Sequence, residues 1–245
     1  MMRTLARSSP WAITLLLICI APVHADALDP AAGLVLQITP LAKAVGRPPE
    51  PGSDALKRDL SVLRWLQFTR NPRAVAQAWS FLNLAPAEFE PAVGSVFGKT
   101  APQIQSGLPF FVKRVQQVKD LLKEEIARPR PYVAHADLQP CLPKEVSKSY
   151  PSGHATWYMT TSLLLADLLP QRRERLLAVG RQGMAARVTC AIHYPSDVEA
   201  GQRLAQAAVA QILGSPQWQS FKASVQPEVN ALLTPPVAGL PELFD

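Results

Sequence analysis

Residues 151–170 read Pro151-Ser-Gly-His-Ala-Thr-Trp-Tyr-Met-Thr-Thr-Ser-Leu-Leu-Leu-Ala-Asp-Leu-Leu-Pro170, and this stretch decides the fold. From Ala155 to Leu169 the segment is apolar almost all round, with Trp157, Met159, Leu163, Leu164, Leu165 and Leu168 distributed over every face. A helix of that kind has no side for water and belongs at the centre of a bundle. Ser152 suits the N-cap, its hydroxyl able to accept from the first free N–H groups, and Pro170 stops the helix.

Outward from this helix the pattern remains helical. Phe111, Val115, Val118, Leu122 and Ile126 recur at steps of three and four, which predicts a helix over about 108–128 with Lys123 on the flank of its apolar stripe. Ser53 is a second N-cap, for a helix reaching about Phe68, and shorter helices are expected over 74–82 and 87–97. Further helices are expected over 171–188 and 196–213, the second rich in Ala and ended by Gly214, and a last one over about 216–233. No alternating pattern of useful length marks a strand. The expected fold class is all-α, a compact helical bundle.

Residues 1–25 stand apart. Arg3 and Arg7 precede a short apolar run from Trp11 to Val23, and Val23-His24-Ala25 has the small-residue form of a cleavage site. That is the layout of a secretory signal peptide, with a retained anchor as the alternative. The run falls short of the roughly 20 residues a membrane span needs. The expected organisation is a signal peptide over 1–25, one helical domain over 26–234 and an irregular tail over 235–245. The exported chain would be periplasmic, with release to the outside left open.

Of the net charge of +6, Arg3 and Arg7 leave with the signal, giving 6 − 2 = +4. A mildly basic chain suits anionic substrates. No basic stripe with interleaved aromatics is present, so nucleic acid is not an expected partner. Two cysteines remain, Cys141 and Cys190. In an exported protein an even count points to a disulfide, although two separate buried thiols would give the same count.

The chemistry clusters around a proline-rich stretch from Pro129 to Pro151, too long and too broken to be anything but a loop. Lys123 is followed after six residues by Arg130-Pro131. Pro151-Ser152-Gly153-His154 closes the loop. Arg187 is followed after five residues by His193, and after three more by Asp197. Lys is a point charge and Arg a planar fork, the two means by which proteins hold phosphate. Ser152, Gly153 and His154 open a helix, where free N–H groups face an anion. Pro195 suits the first position of the next helix, which puts His193 just before it and Asp197 in its first turn. Asp197 can then accept from one nitrogen of His193 and leave the other free to attack. The spacing does not support a metal site: there is no HExxH and no Cys/His cluster.

These three patterns resemble the signature of the type 2 phosphatidic acid phosphatase superfamily, which includes the vanadium haloperoxidases. Within it the chain is most similar to bacterial class A non-specific acid phosphatases, over about residues 55–230 and densely from Lys123 to Gly201. Ser149-Tyr150 and Asp197-Val198 also match, and the family's cysteine pair falls at Cys141 and Cys190. The resemblance implies an all-helical phosphomonoesterase needing neither metal nor other cofactor. His193 would be the nucleophile, Asp197 its orienting partner and His154 the proton donor. Lys123, Arg130, Ser152, Gly153 and Arg187 would hold the phosphoryl oxygens. Ala186 stands where the family has serine, and Val112 and Lys113 lie where class A enzymes carry an acidic pair.

The expected partners are small phosphomonoesters, with no stable membrane span and a homo-oligomer left open. A vanadate-dependent haloperoxidase, a soluble phosphatase acting on lipid phosphates and a non-catalytic anion binder are the competing readings. Outside the motifs, His135, Asp137 and Glu145 are expected to be loop residues, the two acids solvated. The run Arg172-Arg173-Glu174-Arg175 is expected to be a solvated helix start.

Overall fold

A computed structural model describes residues 29–236, with residues 239, 240 and 243. The expected signal peptide over 1–25 lies outside the described residues, as do parts of the tail. Among the described residues there are helices and no strand. Nine helices longer than one turn are numbered here: α1 Ile38–Val45, α2 Asp54–Thr69, α3 Pro72–Ser80, α4 Pro102–Ile126, α5 Gly153–Leu168, α6 Arg173–Thr189, α7 Pro195–Leu213, α8 Pro216–Ser224 and α9 Gln226–Leu233.

Helix α5 is the central element. Its residues from Ala155 to Leu168 are buried except Leu163 and Asp167, which are half-buried, and α4, α6 and α7 pack around it. Small residues let the neighbours come close. At Gly183 of α6 a Cβ would lie 2.4 Å from the Tyr158 ring, and at Gly180 it would lie 2.3 Å from Ser162 Oγ. At Gly201 of α7 it would lie 2.7 Å from the backbone oxygen of Ser152. The aromatic core continues through Phe111, Trp218 and Phe221, whose rings meet at 5.0–5.7 Å.

Several boundaries differ from the sequence reading, each for a local reason. Helix α4 begins at Pro102, six residues before the expected start. The carboxylate of Glu228, on α9, accepts from the N–H groups of Gln103 and Ile104 at 2.9 Å each and caps α4 from across the fold. The helix expected over 87–97 is a 3₁₀ turn, Pro86–Phe89, and two single turns, Glu90–Val93 and Phe97–Thr100. Gly94, at φ 71°, breaks the run. The helix expected over 216–233 is two helices, α8 and α9, parted at Val225. Pro227 has no N–H to donate to the carbonyl of Ala223 and sits in the first turn of α9, the place in a new helix that a proline suits. Helix α1 has no counterpart in the sequence reading; it packs against α7 through Leu41 and Val45.

The arginine run also departs from expectation. Arg172 is 2% exposed and donates to the carbonyls of Leu233 and Pro235, so it ties the start of the tail to α6 instead of facing water. No helix among the described residues is long and apolar enough to cross a membrane.

Candidate active site

The loop between α4 and α5 runs from Ala127 to Ser152, with a single helical turn at Pro131–Ala134. Its middle is fastened by a disulfide between Cys141 and Cys190, with Cα atoms 4.7 Å apart. A backbone bond from Cys141 N–H to the Cys190 carbonyl, 3.2 Å, lies alongside. The bridge joins the loop to the short turn that separates α6 from α7, and His193 follows three residues later.

The turn itself is tight. Ala191 takes a left-handed φ of 52°, and the N–H groups of Ile192 and His193 both donate to the Arg187 carbonyl. Tyr194 then leads into α7, with Pro195 in its first turn. This puts His193 and Asp197, four residues apart, in the same buried spot. Both are 0% exposed. Asp197 Oδ2 lies 3.2 Å from His193 Nδ1 and also accepts from Tyr194 N–H at 3.0 Å and from the Ser149 hydroxyl.

On the other side of the ring, Arg130 Nη1 lies 2.8 Å from His193 Nε2. A guanidinium can only donate. Nε2 therefore carries the lone pair, and the proton sits on Nδ1 facing Asp197. Burial, reinforced by Arg130, Lys123 and Arg187, holds the imidazole well below its ordinary pKa. Both effects favour the neutral imidazole, and its basic nitrogen is aimed into the cationic cluster.

Lys123, on α4, is buried and donates to the carbonyls of Lys148 and Ser149. Burial, then repulsion from Arg130 and Lys119, lowers its pKa to about 7. Arg130 donates through Nε to the Ser147 carbonyl at 2.8 Å and through Nη1 to the Ile192 carbonyl at 3.2 Å, which locks its fork. Arg187 is 0% exposed; burial and the nearby Arg130 bring its pKa down to about 10, although Glu145 opposes the fall. Its Nε and Nη1 have no hydrogen-bond partner among the described residues. Orphaned buried donors on a guanidinium are costly unless an anion meets them.

Ser152 caps α5 and accepts from Ala155 N–H at 3.4 Å. The first intrahelical bond is made by Thr156 to the Ser152 carbonyl, so the N–H groups of Gly153 and His154 precede it and face outward from the helix end. Lys119 reaches within 3.6 Å of the place a Gly153 side chain would occupy. His154 Nε2 lies 3.1 Å from the Leu82 carbonyl, and burial with the Arg187 charge lowers its pKa to about 4. All eight motif residues thus come together where the loop, the N-terminus of α5, the end of α6 and the start of α7 meet. Ala186, in place of the family's serine, is 5% exposed and packs in the main core.

Three participants were not legible in the sequence reading. Glu145, expected to be solvated, bridges the two arginines: Oε2 lies 2.5 Å from Arg130 Nη2, and Oε1 is bonded to Arg187 Nη2. Burial alone would raise its pKa, but Arg130 and Arg187 together hold it at about 2. Arg128 donates to Asp197 Oδ1 at 2.6 Å and to the Ser196 hydroxyl at 2.8 Å, and stacks 3.8 Å from the centre of the Tyr194 ring. Asp59, from α2, lies 3.4 Å from Arg128 Nη2 and accepts from Ser196 N–H at 3.1 Å. The only signal for Arg128 was its place in Arg128-Pro129-Arg130-Pro131; for Asp59 there was none. His135, by contrast, packs its ring against Tyr194, and Asp137 pairs with Arg64 at the surface. Among the described residues no group of three or more His, Cys, Asp or Glu could hold a metal ion.

Residues 110–220 match the model of the PAP2 superfamily. A non-specific acid phosphatase of Providencia stuartii is 30% identical over 186 residues, 70% of this chain and 73% of that protein. One from Salmonella typhimurium is 32% identical over 112 residues, 44% of this chain and 45% of that protein. Among solved structures, a transmembrane PAP2 type phosphatidylglycerolphosphate phosphatase from Bacillus subtilis superposes with a TM-score of 0.52 at 21% identity, covering 72% of this chain and 90% of that one; at that identity the likeness is one of fold. With a relative at 30% identity spread along most of both chains, and the family model spanning Lys123, His154, Arg187 and His193, the chain belongs to the PAP2 superfamily.

Proposed function

We propose that the chain hydrolyses phosphomonoesters through a phosphohistidine at His193, without a metal ion, after export from the cytoplasm. As a member of its superfamily with non-specific acid phosphatases among its relatives, it is a phosphoric monoester hydrolase. The finer reading rests on one observation: His193 is fully buried, its Nδ1 faces Asp197, and its unprotonated Nε2 faces Arg130.

The phosphoryl group is held by Lys123, Arg130, Arg187, Ser152 and the N–H groups at the start of α5, and one phosphoryl oxygen meets the orphaned nitrogens of Arg187. His193 Nε2 attacks phosphorus. The P–N bond forms as the P–O ester bond breaks, and Nδ1–H stays on His193, stabilised by Asp197. His154 gives its proton to the departing alkoxide. In the second step His154 takes a proton from water, the hydroxide attacks phosphorus, the P–N bond breaks and phosphate leaves. A bound phosphate beside His154 draws its pKa back up from about 4, so the imidazolium is available at acid pH. The lowered pKa of His193 favours the nucleophile without a proton.

The two histidines are separated by leaving group. His193→Ala should lose hydrolysis of every ester alike. His154→Ala should impair alkyl phosphates far more than nitrophenyl phosphate, because general acid help is worth roughly 10²–10⁴-fold only where the leaving group needs a proton. Rapid-quench measurement of enzyme phosphorylation is the assay, since the second role of His154 masks the contrast in turnover. Phosphate should be trapped on the His154→Ala protein and absent from His193→Ala. Equal behaviour of the two variants with both esters, or reversed roles, would overturn the assignment.

A further inference from the structure

Glu145 occupies the ground that the proposed function reserves for a phosphoryl group. Its two carboxylate oxygens are divided between Arg130 and Arg187, the two guanidinium groups of the cluster, and Oε1 comes within 3.9 Å of His154 Nδ1. These are the positions from which a phosphoryl oxygen would be held. The carboxylate satisfies the cluster incompletely, because with Glu145 in place Arg187 Nε and Nη1 have no partner among the described residues. A phosphate offers more oxygens in three dimensions than a planar carboxylate, so it can engage donors that Glu145 leaves idle.

The backbone of Glu145 is held by one side chain, the Tyr132 hydroxyl, which accepts from its N–H and donates to its carbonyl at 2.9 Å each. Val146, next in sequence, is fully exposed, and the Glu145 side chain is itself 29% exposed. The segment is fixed at both ends, by the disulfide at Cys141 and by Lys123 gripping the carbonyls of Lys148 and Ser149. Between those anchors an excursion of the Glu145 side chain would withdraw the carboxylate from both arginines while Ser147 keeps its hold on Arg130 Nε and Nη2.

We propose that Glu145 is a tethered carboxylate that holds the phosphate site until a phosphate displaces it, and that this exchange determines which anions the site admits. The proposal rests on the reading of the site as a phosphate site. A free monocarboxylate must compete with an intramolecular one already at high effective concentration, and loses. A phosphate wins because it brings more charge and more acceptors. In the absence of phosphate, Glu145 also neutralises a buried cluster of cations, and its carboxyl stays ionised at acid pH because the arginines hold its pKa at about 2.

The experiment is calorimetric titration of inorganic phosphate, and separately of acetate, into the full mature protein and into Glu145→Gln, Glu145→Ala and Arg187→Gln. Removal of an internal competitor that is in place nine-tenths of the time or more should tighten phosphate binding about tenfold or more. Both Glu145 variants should also bind acetate measurably where the parent does not. Phosphate binding that is unchanged or weaker in both variants would mean that Glu145 positions the arginines for substrate, and would overturn the proposal. Arg187→Gln separates the two ideas. It should lose phosphate affinity; if it binds phosphate as the parent does, the phosphate site itself is misplaced and the proposal falls with it. Melting curves of each variant establish that it is folded before titration.

Discussion

Arg128 lies outside the three motifs, yet it is the contact through which the buried carboxylate of Asp197 meets a positive charge. Its Nη1 is 2.6 Å from Asp197 Oδ1, its Nη2 is 3.4 Å from Asp59 Oδ2, and its side chain is 8% exposed. Replacing it by Met keeps most of the volume and removes the charge. Loss of one partner of a buried pair typically costs about 3–5 kcal/mol, because the other charge is left in a medium that cannot solvate it. For a domain of this size that corresponds to a fall in melting temperature of about 6–20 °C.

The pH dependence follows from the same contact. Burial already raises the Asp197 pKa, against the opposing pull of Arg128, Ser149 and Tyr194 N–H. Without Arg128 it rises further. A carboxyl whose folded pKa lies above its unfolded value keeps a proton that the unfolded chain has released, so stability falls as pH climbs from the unfolded pKa to the folded one. The deficit of Arg128→Met should therefore be small well below pH 4, where Asp197 is protonated in the folded and the unfolded chain, and should grow as pH climbs above the unfolded carboxyl's pKa. The acid limb of the rate profile should move to higher pH, since the His193 partner must be ionised to stabilise imidazolium character. Urea unfolding across pH, with nitrophenyl phosphate rates alongside, measures both. A variant as stable as the parent at neutral pH, or a deficit that does not change with pH, would refute the reasoning. Arg128→Lys should restore part of the stability but not the acid limb, because an ammonium lacks the fork and the stacking on Tyr194.

Other expectations concern the frame and the cations. Gly201→Ala drives a methyl to 2.7 Å from the Ser152 backbone oxygen and 3.1 Å from Thr156 N; it should cost about 1–3 kcal/mol and lower kcat, as seen in unfolding curves and kinetics, and an unaffected kcat would show that α5 and α7 can part without moving the site. Reduction of Cys141–Cys190, which closes a loop of separation 49, should cost about 4 kcal/mol by the chain-entropy model; the comparison is unfolding with and without reductant, and identical midpoints would contradict it. Sulfate, which does not titrate near neutrality, should bind more weakly as pH rises through about 7, where Lys123 loses its proton. Lys123→Met should flatten that slope, and an unchanged slope would remove Lys123 from the anion site. Vanadate should inhibit far more tightly than sulfate, because its five-coordinate form on His193 resembles the in-line transition state; equal affinity would count against the phosphohistidine.

How much of this was legible in advance follows the reach of each interaction. The all-round apolar character of 155–169 marked α5 as the centre of the bundle, and Ser53, Ser152 and Pro195 marked helix starts, because caps and periodicity act within a few residues. Motif spacing identified the eight residues that converge, since each sits at a helix end or just beyond one. What the chain could not announce was contact between remote segments. Glu228 caps α4 from 125 residues away, and nothing near Pro102 signals it. Asp59 reaches Ser196 across 137 positions. Glu145 read as a solvated loop acid because no local rule distinguishes it from one. Only the folded loop, held by Cys141 and Lys123, brings its carboxylate to Arg130 and Arg187. Local sequence marked most of the long helices and placed residue types suited to holding phosphate at their ends. Tertiary structure decided which charges neutralise one another, because a buried ion must find its counter-ion wherever the packing places it.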